Sequence, residues 1–203
     1  MNSLNVSKFL FVYEYQERDL KFLLNAVYKC YLKILGNEAE VSKNENDIRD
    51  LFISENYLEN HEVKSELGVV EFQFDKEIET DDGRVDIRIF SMINKMKGID
   101  KPYYFIECKI IKGDKTYNDY YIKNGINRFI QEKYPAYLES NAMIGFVINK
   151  INISENTTYF KDLLPLIFIE GFEFSYESNH KTTSHKKIKL YHLMFDFSSK
   201  IKN

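Results

Sequence analysis

The stretch GRVDIRIF (residues 83–90) predicts a buried strand that carries one acid, Asp86, near its centre. The stretch YYFIECKII (residues 103–111) repeats this pattern with Glu107 and Lys109. A charge buried without a partner costs several kcal/mol, so such side chains are usually paired, bound to a metal, or placed at an exposed strand end. These two stretches therefore mark the place where chemistry is expected.

Side-chain alternation along a strand predicts how the polar groups meet. Glu107 and Lys109 share one face of their strand, while Cys108 takes the other face. If the two strands are neighbours, Asp86 can meet Glu107 across the pair. Converging carboxylates repel each other unless a cation lies between them, and oxygen ligands suit Mg²⁺ or Mn²⁺. Beside such a metal, Lys109 would orient or help to deprotonate a water that attacks a phosphodiester.

These residues also resemble a known family. Gly83-Arg84-Val85-Asp86 followed by Glu107-Cys108-Lys109 is similar to the motif of the PD-(D/E)XK, or restriction-endonuclease-like, nuclease superfamily. Val85 stands where the motif has proline, a departure that touches no metal ligand. The resemblance covers about half of the chain, residues 42–150. It implies that Asp86 and Glu107 bind Mg²⁺ or Mn²⁺, that Lys109 serves the water, and that an acid from the preceding helix completes the site.

Two acids are candidates for that helix position. Glu45 lies on the same apolar stripe as Ile48 and Phe52, which places it towards the sheet, and it is our first choice as third metal ligand and catalytic acid. Glu55 continues the stripe and is the reserve. A local explanation has about equal weight, because Ser42 and Glu45 have the spacing of a capping box.

The order of predicted elements gives a mixed α/β fold, and the resemblance implies a restriction-endonuclease-like core on one mixed sheet. The core consists of a helix, three strands, a helix and a strand, and it is preceded by a strand and a helix and followed by a strand extension. The predicted strands are 8–15, 69–78, 84–90, 102–111, 142–150 and two within 166–178 and 186–197. Four helices are predicted: the first ends at Gly36, and the second runs from Ser42 to near Asn60. The third follows the third core strand until Pro135 disturbs it, and the fourth is a short helix after Ser154. No linker is apparent, so residues 1–203 are expected to form a single domain.

Charge is distributed unevenly along the chain. The formal net charge is −3, but residues 51–100 carry six Lys/Arg against twelve Asp/Glu, and residues 101–150 carry eight against five. A local basic face suits a phosphate backbone, whereas the modest total argues against an indiscriminate polyanion binder. The start lacks a leader pattern, no apolar run suggests a membrane span, and Cys30 and Cys108 fit reduced thiols, so a cytoplasmic location is expected.

Further residues have a functional and a plain interpretation. Arg128, on the helix after the motif, and Lys112, in the loop before it, could contact phosphate, but a solvated helix face and a charged loop explain them as well. His180, His185 and His192 lack the ligand spacing of a zinc site, which favours a loop or surface role, although His180 could contact substrate if the C-terminal hairpin folds over the site.

The sequence therefore predicts a Mg²⁺-dependent endonuclease with DNA as its expected substrate. A role in restriction or anti-phage defence is implied by the resemblance alone, and specificity would come from loops, a homodimer or a partner protein. The plain alternative for the motif is a cross-strand salt bridge with Arg88 or Arg84. At the level of function, the alternatives are a catalytically inactive domain of the same fold that binds nucleic acid or scaffolds a complex, and an unrelated α/β interaction protein.

Overall fold

One seven-stranded mixed sheet organises the chain. The computed structural model describes residues 12–80, 83–134 and 137–201. The strands are β1 (Phe72–Thr80), β2 (Gly83–Ser91), β3 (Tyr104–Ile111), β4 (Ser140–Val147), β5 (Leu164–Pro165), β6 (Ser175–Lys181) and β7 (Lys187–Asp196). The helices are α1 (Glu17–Gly36), α2 (Glu45–Phe52), α3 (His61–Leu67), α4 (Met92–Met96), α5 (Lys115–Tyr121), α6 (Asn127–Ile130) and α7 (Ile153–Thr157), with a π-helical segment, Ile122–Ile126, between α5 and α6. The predicted α/β class is confirmed.

Three parallel strands form the centre of the sheet. The strand order is β1-β2-β3-β4-β7-β6-β5, in which β3 is parallel to β4 and β4 is parallel to β7. The β1-β2 hairpin and the β6-β7 hairpin flank this centre with antiparallel pairing. Every residue of β3 and β4 is buried, as expected for central parallel strands covered on both faces. Any charged residue in β3 is therefore removed from bulk solvent.

The two faces of the sheet carry separate apolar clusters. The first cluster joins α1 and α2 to one face, and it includes Ile106, Cys108 and Ile110 of β3. The second joins α5, α6 and α7 to the other face, and it includes Phe105 and Ile111 of β3. Glu107 and Lys109 alternate with the first set, so they lie on the second face, beneath α5 and α6. The sequence prediction that they share a face is consistent with this arrangement.

The second predicted helix is shorter than expected. It ends at Phe52 and not near Asn60, because Ile53 leaves the helical conformation and the backbone N–H of Leu58 bonds back to the Phe52 carbonyl. The chain then turns, and Asn60 caps a separate helix, α3, by accepting hydrogen bonds from the Glu62 and Val63 backbone. The sequence analysis missed this break because the apolar spacing continues through it.

The N-terminal strand is predicted for a segment of which only part is described. Residues 8–11 lie outside the described residues, and residues 12–15 form no strand. The Asn94 side chain instead pairs with both backbone groups of Tyr13, and the Tyr15 hydroxyl accepts a hydrogen bond from the Ser91 backbone. These contacts tie the segment to α4, a short helix that was not predicted.

The remaining predicted elements are present with shifted bounds. The helix after the motif is α5, the π-helical segment and α6, and it ends at Ile130, before the undescribed residues 135–136. Of the two C-terminal strands, β7 matches its prediction, whereas most of 166–178 is irregular and β6 starts only at Ser175. None of the helices in the described ranges combines the length and apolarity needed to cross a bilayer.

Candidate functional site

Strands β2 and β3 separate next to Asp86. Their paired register runs through Ile87 opposite Ile106 and stops there, so Asp86 has no direct ladder partner in β3. On the other side, Glu77 of β1 adopts a left-handed conformation with φ 52° and interrupts the β1-β2 pairing at the same level. The Asp86 carboxylate fills the gap, and its Oδ2 accepts a hydrogen bond of 2.8 Å from the Cys108 backbone. Local irregularity in two strands thus directs this acid towards β3.

The Lys109 ammonium lies at the centre of the site. Its Nζ is 2.7 Å from Glu107 Oε1, 3.1 Å from Glu45 Oε1 and 3.5 Å from Asp86 Oδ2. It also donates a hydrogen bond to the Cys108 carbonyl at 2.5 Å. Four oxygen atoms from three elements therefore converge on one buried position, and the structure brings together all four residues that the sequence analysis proposed as catalytic.

Helix α2 supplies the third carboxylate from its first turn. Glu45 Oε2 accepts a hydrogen bond of 2.9 Å from the Ile110 backbone, which fixes the carboxylate against β3. The predicted capping box is wrong, because Asn44 and not Ser42 accepts the backbone hydrogen bonds that cap α2. Glu55, the reserve candidate, is exposed in the turn after α2. The geometry therefore favours Glu45 over Glu55.

Glu107 is the most deeply buried of the three acids, with 1% of its surface exposed. Arg128 Nη1 lies 3.1 Å from its Oε1, and the Tyr134 hydroxyl donates a short hydrogen bond to its Oε2. Burial raises the pKa of Glu107 to about 7, even though the Lys109 charge lowers it. The carboxylate is thus held by two cations and a hydroxyl in a site that disfavours its charge.

The charge state of Lys109 follows from its neighbours. Burial by itself lowers the pKa of Lys109, but the charges of Glu107, Asp86 and Glu45 together raise it above its ordinary value. Lys109 is consequently an ammonium at neutral pH. It can donate hydrogen bonds and stabilise negative charge in this arrangement.

A second buried cation, Arg49, lies on the outer side of Asp86. Its side chain is 1% exposed and its Nη1 is 3.4 Å from Asp86 Oδ1, while its Nη2 pairs with Asp50 and Glu77. Sequence reasoning missed Arg49, although it follows Glu45 by one helical turn on α2, a spacing that places both on the same face. Tyr134 was also missed, and it has no recognisable sequence signal.

The plain alternative for the motif is a cross-strand salt bridge with Arg88 or Arg84. Among the described residues, neither arginine forms this salt bridge. Arg88 pairs with Asp75 of β1 at 2.5 Å, and Arg84 lies 3.3 Å from Glu77. Arg49 and Arg128, from helices on opposite faces of the sheet, pair with the motif carboxylates instead.

An open cleft between the start of α2 and the helical segment from α5 to α6 leads to the site. It has a volume of about 470 Å³, and Glu45, Lys109 and Arg128 line it. Glu45 and Lys109 belong to the carboxylate cluster, which we define as the Glu45, Asp86 and Glu107 carboxylates around Lys109 Nζ. The rest of the cleft lining comes from Ile110, Thr116, Tyr117, Tyr120 and Asn124. Arg128, proposed from the sequence as a phosphate contact, is therefore placed at the inner end of a solvent-accessible cleft.

The other proposed contact residues lie further out. The Lys112 amine donates a hydrogen bond to the Tyr117 hydroxyl and lies 3.9 Å from the centre of that ring, which places it at the edge of the cleft. His180 is half-buried and bonds to Ser178, and exposed His185 lies in the turn between β6 and β7. The surface role expected for His192 is wrong, because this residue is fully buried between Tyr121 and Ser178.

The donor chemistry of the cluster suits a hard divalent cation. Carboxylate oxygens of Glu45, Asp86 and Glu107 and the Cys108 carbonyl are the ligand types that Mg²⁺ and Mn²⁺ prefer. The Lys109 ammonium, however, takes the central position between these oxygens. Within residues 12–80, 83–134 and 137–201, no group of three or more His, Cys, Asp or Glu residues is arranged to hold a metal ion. A metal would therefore require the ammonium to move aside.

Comparisons with known proteins do not extend this description. No protein-family model, no curated protein and no solved structure matches the chain.

Proposed function

We propose that the protein is a metal-dependent nuclease that hydrolyses phosphodiester bonds, with DNA as the expected substrate. One observation carries the proposal: Glu45, Asp86, Glu107 and the Cys108 carbonyl surround Lys109 Nζ at the inner end of an open cleft. Buried carboxylates are unfavourable unless they are paired, and a cluster of three of them around one lysine in a cleft is typical of a functional site.

The order of elements supports the resemblance on which the proposal rests. Helix α2 is followed by β1, β2 and β3, then by α5 and α6, and then by β4 parallel to β3. This is the helix, three strands, helix and strand order of the PD-(D/E)XK core. Helix α3 and helix α4 would be insertions within that core.

Each residue of the site would have its own role in phosphodiester hydrolysis. Asp86, Glu107 and Glu45 would hold the divalent ion, which, when bound, supplies a Lewis acid that polarises the phosphate and lowers the pKa of a water. Lys109, as a donor, would orient the water and stabilise charge that develops on the phosphate. Arg128 pairs with Glu107 through Nη1 and lines the cleft, where its guanidinium would bind phosphate.

The direct test is cleavage of plasmid and linear DNA by the purified protein in the presence of Mg²⁺ or Mn²⁺. Asp86→Ala and Lys109→Ala should each abolish cleavage, while Glu55→Ala, which changes an exposed acid outside the site, should retain it. Circular dichroism should show that all three variants are folded. Cleavage that survives both site substitutions would remove the mechanism.

A second candidate function is a catalytically inactive domain that binds nucleic acid or scaffolds a complex. The observation in its favour is that Lys109, Arg49 and Arg128 already neutralise the carboxylates without a metal. Calorimetry separates the two functions. Heat of Mn²⁺ binding that is lost in Asp86→Ala supports the nuclease, and absence of such heat together with intact DNA binding supports the inactive domain.

The proposed setting follows from the family analogy. Restriction or anti-phage defence in the cytoplasm is the role that we propose, with target choice supplied by surface loops, a homodimer or a partner protein.

A further inference from the structure

Four side chains form a straight stripe along one wall of the cleft. Thr116, Tyr120, Asn124 and Arg128 follow one another at intervals of four residues, and all four line the cleft. Arg128 occupies the inner end of the stripe, next to Glu107. The cleft thus has a cationic inner end and an aromatic and polar outer part.

The π-helical segment explains why this stripe is straight. In an uninterrupted α-helix, residues twelve positions apart differ by roughly 120° around the axis, so Arg128 would point away from Thr116. A π-helical turn holds more residues than an α-helical turn, and the segment Ile122–Ile126 therefore counteracts this drift. Gly125, within the segment, allows the helix to approach the sheet closely, since a Cβ there would overlap with Met143 Cε of β4 and would contact the Lys109 side chain. The helix irregularity is what aligns Arg128 with the aromatic part of the cleft.

The outer part of the stripe offers free binding groups. Tyr120 is 57% exposed, an unusual state for a large ring in a chain whose other aromatic residues mostly pack in the core. Within the described part of the chain, the side chains of Thr116, Tyr120 and Asn124 make no hydrogen bonds. Arg128 uses only Nη1 for Glu107 and Tyr134, so among the described residues its Nη2 and Nε have no partner.

We propose that this cleft binds one unpaired nucleotide, with its base stacked on Tyr120 and its phosphate between Arg128 and Lys109. Single-stranded nucleic acid, or the unpaired part of a longer substrate, is then the preferred ligand. The proposal rests on the nuclease function proposed above, because the phosphate position is defined by the carboxylate cluster. Asn124 and Thr116 would contact the edge of the base.

The size of the cleft distinguishes an unpaired nucleotide from a duplex. A volume of about 470 Å³ suits one small ligand. Bases within a duplex are stacked on both faces by their neighbours, so a base reaches an aromatic side chain only after it has been unstacked. Stacking on an aromatic ring strengthens binding of a base by roughly tenfold, enough to give a measurable preference.

The test measures binding by fluorescence anisotropy in a chelating buffer, where cleavage is suppressed. The probes are a labelled 12-nucleotide oligo(dT) strand and a labelled 12-base-pair dA·dT duplex. We expect the protein to bind the single strand at least tenfold more tightly, Tyr120→Ala to lose about tenfold of that affinity, and Tyr120→Phe to retain it within about twofold. Phe22→Ala, which removes an exposed ring of α1 outside the cleft, is the matched control and should leave both affinities unchanged.

The outcomes separate this inference from the nuclease proposal. Equal affinity for the two probes, no detectable binding, or a Tyr120→Ala variant as tight as the wild type would overturn the inference, and metal-dependent cleavage of duplex DNA would still support the nuclease. Conversely, Tyr120-dependent binding of the single strand without cleavage under any metal condition would support the cleft and point to the inactive binding domain.

Discussion

The Lys109 Nζ lies 3.1 Å from Glu45 Oε1, although the two residues are 64 positions apart in the chain. Glu45 stands in the first turn of α2, and its other oxygen accepts the Ile110 backbone N–H of β3. The helix on one face of the sheet is thereby joined to a lysine beneath the other face. This contact makes Glu45 a part of the carboxylate cluster and not only a residue of a helix end.

Replacing Glu45 should therefore affect the site specifically. Glu45→Gln keeps the size of the side chain but removes one of three negative charges around Lys109, so we expect Mn²⁺ affinity, measured by calorimetry, and the rate of DNA cleavage each to fall by about tenfold or more. Glu55→Gln is the matched control, since Glu55 is exposed in the turn after α2, and it should change neither quantity. Similar losses in both variants would show that Glu45 has no special role.

Arg49 provides a test of how the buried charges are balanced. Its side chain is 1% exposed, and Arg49→Met would leave Lys109 as the one cation within 4 Å of the Asp86 carboxylate among the described residues. Because Asp50 and Glu77 are partly solvated, most of the penalty arises at Asp86, and we expect the free energy of unfolding in urea to fall by about 3 kcal/mol.

Arg84→Met is the control for the Arg49 experiment. Arg84 also pairs with Glu77, but half of its side chain is exposed, so its loss should lower the free energy of unfolding by less than about 1 kcal/mol. Equal destabilisation by the two substitutions would contradict a special balance of charge at Asp86.

The close approach of the helix to the sheet can be tested at Gly125. A Cβ at this position would overlap with Met143 Cε, the end of a flexible but fully buried side chain that would have to shift, so Gly125→Ala should lower the free energy of unfolding by about 1 kcal/mol, after the helix propensity of alanine offsets part of the strain. Nothing lies within 4 Å of a Cβ at Gly36, the last residue of α1, and Gly36→Ala should be neutral or slightly stabilising.

A double mutant identifies the cause of the Gly125 effect. In the Gly125→Ala/Met143→Ala protein the overlapping atoms are removed, so its destabilisation in urea should be smaller than the sum of the two single effects. Strict additivity would show that Met143 is not the residue that opposes a side chain at Gly125.

Sequence patterns predicted the parts of the site that depend on strand and helix periodicity. Alternation in β3 placed Glu107 and Lys109 on one face, and the apolar stripe of α2 directed Glu45 to the sheet. These inferences succeed because buried faces follow a fixed period. The site residues that sequence reasoning named were found together for that reason.

The features that sequence patterns did not predict depend on single backbone conformations. The separation of β2 from β3 at Asp86 accompanies a left-handed Glu77, a conformation that glutamate rarely adopts and that no pattern signals. Asn44 takes the capping position for which Ser42 had the expected spacing, since both residue types suit it. The π-helical segment, which aligns Arg128 with the cleft, likewise has no periodic signature.

His192 provides a prediction for the dependence of stability on pH. Its Nδ1 lies 2.9 Å from the Tyr121 hydroxyl oxygen and its Nε2 lies 2.7 Å from Ser178 Oγ, in a fully buried setting. Burial lowers the pKa of His192 to about 3, and the neighbouring His180 lowers it as well, whereas the unfolded chain titrates near 6.5. Between about pH 3 and pH 6.5 the folded protein therefore holds a neutral imidazole while the unfolded chain binds a proton.

This difference fixes the sign of the effect. Because the folded pKa lies below the unfolded value, the contribution of His192 is fully present above pH 6.5 and is lost as the pH falls towards 3, by up to about 1.4 kcal/mol per pH unit. Urea unfolding between pH 4 and 8 should show that the wild type loses more stability on acidification than His192→Gln, which cannot take up a proton. His185→Gln, in the exposed turn, should retain the slope of the wild type. Parallel pH profiles for the wild type and His192→Gln would contradict this prediction, because they would mean that the buried imidazole does not control acid sensitivity.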